Sequence, residues 1–137
     1  MTEKIFLDSN VLISLKEKES VFINKSLKIL EDIIKNNQQG VINSYVINEI
    51  HYFYSKHSTK ANASNVIKSL FAISNLKYED ISLNKEDIFE ILKLANKHNL
   101  ETFDAYHAFY CKKLGIKKIA TFDEDFKKVP SLKIIGF

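Results

Sequence analysis

Two short apolar runs that each end on acid constrain this chain more than any other feature. Lys4-Ile5-Phe6-Leu7 shows no apolar/polar alternation, the pattern of a central parallel strand covered on both faces, and it runs into Asp8. Ile119-Ala120-Thr121 repeats the pattern and runs into Asp123, Glu124 and Asp125. Ligands of open α/β sheets bind beyond the carboxyl ends of the strands. Carboxylates gathered there repel one another unless a cation joins them.

Between these runs the chain alternates helical and strand-like segments. Ser9 and Asn10 are capping types that open a helix through Val11, Leu12, Ile13 and Leu15, and the charged run 16–19 ends it. Ser20 opens a second helix whose stripe is Val21, Ile23, Leu27, Leu30, Ile33 and Ile34, and the polar stretch 36–40 closes it. Val41-Ile42-Asn43 is a short strand, after which Ser44 caps a helix from Tyr45 to about His57 with Glu49 in its second turn. A helix from about Lys60 to Ser74, a weaker strand over 76–83 and a helix capped by Asn84 follow. Thr102 then caps a helix with Asp104 in its first turn, Gly115 stops it, and Leu132–Ile135 is a last strand after Pro130.

The order β-α-α-β-α-α-β-α-α-β-β argues for a three-layer α/β/α sandwich around a mostly parallel sheet of about four to five short strands. Right-handed crossovers let the first and fourth strands be neighbours at a switch in strand order, which would bring Asp8 and Asp123 together.

At 137 residues, with one Pro and three Gly, the chain reads as a single domain over 1–137 with no linker. Its one cysteine, Cys111, excludes a disulfide framework and reads as core filler. No run approaches a membrane span and no signal peptide precedes the first strand, so the expectation is a cytoplasmic protein with no membrane partner. Net charge is only +3, but from Cys111 onward seven lysines face three acids, which suits a polyanion as well as it suits a solvated surface. There is no arginine, so phosphate contacts fall to lysine, hydroxyls or backbone amides.

Four acids are candidates for one site: Asp8, Glu49, Asp104 and Asp123. A pair of carboxylates about 4 Å apart repels by on the order of 4 kcal/mol at an effective dielectric of 20. Protonation or a hard divalent cation offsets that, and oxygen-only ligands point to Mg²⁺ or Mn²⁺ rather than zinc. His107 and Cys111 follow Asp104 at one-turn intervals, but zinc would need more such ligands. The four histidines, His51, His57, His98 and His107, read as structural or exposed.

The stretches IFLDSNVLI, SYVINEIHYF, LETFDAYHAFY and IATFDEDF resemble, in order and spacing, the four acidic motifs of PIN-domain nucleases. The resemblance covers nearly the whole chain, and its short length is similar to VapC-like toxins of toxin-antitoxin pairs. What it implies is an α/β/α fold, a Mg²⁺ or Mn²⁺ site and cleavage of a single-stranded RNA substrate. Carried over by position, Asp8, Glu49, Asp104 and Asp123 match the family's catalytic, metal-holding acids, Asn10 and Thr121 its polar neighbours, and Asp125 its frequent extra acid. By ordinary metal chemistry Asp8, Asp104 and Asp123 would hold metal, and Glu49 would hold a second ion or accept a proton. Asp125 is open between metal contact and a capping role.

The toxin reading brings a small antitoxin partner with a basic residue for the carboxylate pocket. A homodimer is expected from the resemblance and from Phe53, Tyr54 and Phe71 on outer helices. The alternatives are a PIN nuclease of RNA processing, a non-catalytic RNA-binding domain of the same fold, and a phosphoacceptor receiver domain. The last would want paired acids at the first strand end, where Asp8 stands alone.

Overall fold

The computed structural model describes residues 2–17 and 20–136. Five parallel strands, β1 (Lys4–Leu7), β2 (Gln39–Ile42), β3 (Leu76–Tyr78), β4 (Lys118–Ala120) and β5 (Lys133–Ile135), form one sheet in the order β3-β2-β1-β4-β5. Among the described residues six α-helices flank it: α1 (Ser9–Ser14), α2 (Ile23–Ile34), α3 (Ser44–His57), α4 (Lys60–Phe71), α5 (Lys85–His98) and α6 (Thr102–Leu114). This is the three-layer α/β/α sandwich, and every strand pairing in it is parallel.

The chain moves one way across the sheet from β1 to β3, then crosses back beyond β1 to β4 and β5. With right-handed crossovers this reversal puts the helices of the two halves on opposite faces. β1 lies at the switch, paired with β2 through Phe6 and Val41 and with β4 through Phe6 and Ile119. Its residues Ile5, Phe6 and Leu7 are fully buried, as an unbroken apolar run requires. The strand order also differs from the 2-1-3-4-5 order of receiver domains.

Several element boundaries differ from those the sequence predicts. Helix α3 begins at Ser44 because Asn43 is the extended cap residue, its Oδ1 accepting from Val46 N at 3.1 Å. Helix α6 begins at Thr102 itself, with extended Glu101 before it and no side-chain cap. Ser20 accepts from Phe22 N in a turn, and α2 starts three residues later. β3 stops at Tyr78, where its partner β2 also ends at Ile42. Gly40 lies inside β2, where a Cβ would meet Leu76 Cδ1 at 2.8 Å and Ile33 Cδ1 at 2.9 Å. The left-handed turn after α2 falls to Asn36 instead, at φ 63°. Part of the charged run 16–19, residues 18 and 19, lies outside the described residues.

Two caps match expectation. Asn84 forms a capping box with Asp87, and Gly115 takes the left-handed position after α6 at φ 68°.

The α2 stripe turns out otherwise. Ser26, Ile29 and Ile33 are its buried residues, while Val21, Leu27 and Ile34 are exposed. Leu27 and Leu30 instead line an apolar groove of about 270 Å³ with Leu12, Leu15, Leu70 and Ile73. Of the aromatic residues expected on the outside, Phe71 is exposed, Phe53 is half-buried and Tyr54 is buried against the core. Among the described residues, no helix is long and apolar enough to cross a membrane.

Candidate metal centre

The pairing of β1 with β4 sets the site. Asp8 leaves β1 and serves as the cap of α1, its Oδ1 accepting from Ser9 N at 2.8 Å. Thr121, one residue past β4, donates from Oγ1 to Asp8 Oδ2 at 2.8 Å. The same hydroxyl oxygen accepts from Asn10 Nδ2 at 3.4 Å and from Asp123 N at 3.0 Å. Asn10 closes the link by accepting from Phe122 N at 3.3 Å. Asn10 and Thr121 therefore tie the end of one strand to the end of the other, and both acids hang from that tie.

Glu49 reaches the cleft from α3. Ser9 Oγ donates to its Oε2 at 3.2 Å, and His107 Nε2 lies 2.9 Å from its Oε1. His107, on α6, is wholly buried and stands 3.9 Å from Asp8 Oδ1. His51 and His57 are exposed and His98 half-buried, but His107 belongs to the site, which the sequence reading missed. The available signal was its position three residues after Asp104, on the same side of the helix.

Asp104 sits in the first turn of α6, and Asp123 caps a short 3₁₀ turn, Glu124–Lys128, by accepting from Asp125 N at 2.9 Å. Asp125 also pairs with Lys128 at 3.2 Å. Ligand atoms of Asp104, Asp123 and Asp125 lie within 4.8 Å of one another, and so do those of Asp8, Glu49 and His107. The five expected acids, joined by His107, thus fall into two trios. A cavity of about 490 Å³ joins them, lined by Glu49, Leu100, Glu101, Thr102, Phe103, Asp104 and Asp123.

The electrostatics record the crowding. Burial, then the charges of Asp123 and Asp8, push the Asp104 carboxyl up to about 7 despite the opposing pull of His107. Burial also raises Asp8, against the favourable influence of His107 and the Thr121 hydroxyl. Cys111, fully buried nearby, is driven upward by burial and by Asp8 and stays a neutral thiol. Oxygen donors dominate and burial raises two of the carboxyls, Asp8 and Asp104, so the donor set fits a hard divalent cation.

The basic character of the last third is largely spent locally. Lys113 pairs with Asp87, Lys118 with Glu3, Lys127 with Glu124 and Lys128 with Asp125. An aromatic rim stands beside the acids instead: Phe103 is half exposed, with Tyr45 at 6.4 Å edge-on and Tyr106 at 4.9 Å from Tyr45.

Comparison with known proteins places this geometry. The PIN domain profile matches residues 5–132. The chain belongs to the PIN-domain family. Among curated PIN relatives it is similar to Ribonuclease VapC2 of Methanocaldococcus jannaschii, with 31% identity covering 96% of this chain and 93% of that protein. Ribonuclease VapC6 of the same organism is 32% identical over 96% of this chain and 95% of that protein. Among solved PIN structures, VapBC2 from Rickettsia felis, bound to a DNA fragment from its promoter, superposes with a TM-score of 0.73 at 20% identity, over 96% of both chains.

Proposed function

We propose that this PIN-domain chain, one domain over residues 1–137, is a Mg²⁺- or Mn²⁺-dependent endoribonuclease and the toxin of a toxin-antitoxin pair, acting in the cytoplasm. The observation that carries the reading is the convergence of Asp8, Glu49, Asp104 and Asp123 at the switch point of the sheet, with Asp104 pushed up to about 7 by burial and by Asp123 and Asp8. Relatives above 30% identity that bear the name ribonuclease over nearly their full length support it. A domain that merely bound RNA would gain nothing from four clustered carboxylates facing a polyanion.

A bound divalent cation supplies the charge that polarises a phosphodiester and acidifies the attacking water. Asp8, Asp104 and Asp123 would hold it, with Asp125 beside Asp123. Asp104, raised by burial and then by Asp123 and Asp8, would face such a cation as an ionised carboxylate. Glu49 would hold a second ion or take the water's proton. Asn10 and Thr121 keep the two strand ends in register. The Phe103 ring at the mouth offers a face on which an unpaired base can stack, which favours single-stranded RNA.

For the antitoxin, the open acidic cleft suits a basic side chain, and the apolar groove of Leu12, Leu15, Leu27, Leu30, Leu70 and Ile73 suits an apolar helix. A homodimer, expected from the resemblance, finds exposed apolar side chains in Phe71, Phe89 and Leu92. The test of the main reading is cleavage of a mixed RNA pool by the wild-type chain and by Asp104→Asn, with Mg²⁺, with Mn²⁺ and with chelator. New RNA ends that need both the cation and Asp104 support the proposal. Ends that appear equally in chelator, or with the variant, defeat it.

A further inference from the structure

His107 is the one group in the cleft whose role the acids do not explain. It is 0% exposed, its ring packs 5.0 Å from that of Phe6, and its Nε2 faces Glu49 Oε1 at 2.9 Å. With Asp8 and Glu49 it forms a trio close enough to share an ion, so two roles compete. As a metal ligand it would use the Nε2 lone pair; as a positioning residue it would donate Nε2–H to Glu49.

The other ring nitrogen decides between them. Nδ1 is buried and has no hydrogen-bond partner among the described residues. A ligand through Nε2 must carry its proton on Nδ1, and ligating histidines nearly always hand that N–H to a carboxylate, a carbonyl or water. Here that donor would be orphaned beside an aromatic ring. With the proton on Nε2, the orphan is only a lone pair, and unsatisfied acceptors are more readily tolerated than unsatisfied donors. We therefore propose that His107 is a positioning residue: its Nε2–H, together with the Ser9 hydroxyl on Oε2, fixes the Glu49 carboxylate for the cation and leaves the cation's own ligands all oxygen.

The consequence is a preference for hard cations despite a histidine in the cleft. It also separates His107 from Cys111, which the same helix buries one turn later without using it at the site. The inference rests on reading the cleft as a cation site, but not on which substrate is cut.

Two measurements test it. In ¹⁵N-histidine-labelled wild-type protein, long-range ¹H–¹⁵N correlation, assigned by the signal missing in His107→Gln, is expected to show Nε2 protonated before and after Mg²⁺ is added. Protonation at Nδ1 in either state overturns the proposal, and this readout needs no variant that might fail to fold. Mn²⁺ affinity by electron paramagnetic resonance is the second. His107→Gln keeps a donor at nearly the same reach and should bind within about threefold of wild type, whereas His107→Leu should lose about 10–100-fold, the usual cost of losing an outer partner. Leu binding Mn²⁺ like wild type, with circular dichroism showing it folded, overturns the positioning role even if RNA is still cut. The expected Mn²⁺ pattern in a chain that cuts no RNA would retain the role and remove the nuclease reading.

Discussion

The two acidic trios differ in how their charges are held. Asp8 and Glu49 are anchored by hydrogen-bond donors, the hydroxyls of Ser9 and Thr121, the Ser9 amide and the His107 ring. Asp104, Asp123 and Asp125 are anchored mostly by one another: Asp104 is raised by burial and then by Asp123, and Lys128 pairs only with the outer member, Asp125. The first trio is therefore set by the fold before any cation arrives. The second is left under repulsion that the proposed cation would relieve, so such an ion would take its affinity mainly from the second trio and its geometry mainly from the first.

The largest expected effect breaks the second trio. Asp104→Asn should cut RNA-cleavage rate by about 10²–10³-fold, the typical cost of removing one fixed electrostatic contact to reacting charge. It should do so without lowering thermal stability in chelator, because the amide removes a repelled carboxyl. A variant that cuts at wild-type rate, or that unfolds earlier, would break the comparison. Next comes the tie of the first trio. Thr121→Val keeps shape but strips Asp8 Oδ2 of its donor, a buried loss of about 1–3 kcal/mol. Urea unfolding should report that loss at an unchanged slope. No change would mean that Thr121 does not fix Asp8.

The different legibility of the two trios in the sequence follows from the same contrast. Strand-end acids announce themselves locally: Asp8 follows an apolar run, Asp123 follows another, and right-handed crossovers make those strands neighbours. Asp104 follows from a helix start, although the cap itself shifted from Thr102 to Glu101. The anchors of the first trio are long-range. Ser9 meets Glu49 across 40 residues and His107 meets it across 58, so neither contact has a local pattern, and His107 reads as an ordinary helical histidine until α3 is placed. The α2 stripe went astray for a related reason. Periodicity marks an apolar arc, but only the sheet decides which part is covered, and Leu27 was left in a groove.

Smaller effects sharpen the contrast at the mouth of the cleft. Phe103→Ala should raise KM for single-stranded RNA by about five- to tenfold, the low end of the ~1–3 kcal/mol that one stacked base is worth, because the ring is only half exposed. Turnover at saturating RNA should hold, since Phe103 touches neither trio's hydrogen bonds. A fall in turnover with KM unchanged would place the ring in the catalytic geometry instead.

The smallest effect is the dependence of stability on pH, and its sign separates the trios. Asp104 keeps its proton in the folded chain up to about 7, whereas the unfolded chain releases it near the ordinary aspartate value of 3.8. Between those values the native state binds more protons, so the stability of the cation-free protein must fall as pH rises through that window. Asp8, also raised by burial, adds in the same direction. Discounted for the partial exposure of Asp104, its share is about 1 kcal/mol, or about 4 °C in a chain of this size. Comparing wild type with Asp104→Asn cancels the histidines, so the difference in their melting temperatures in chelator should grow from pH 5 to pH 8 in favour of the variant. Saturating Mg²⁺ should reverse it, because the ionised carboxyl then has a charge to face. A difference that stays flat with pH would mean that Asp104 is already relieved in the empty cleft, and that the second trio is as preorganised as the first.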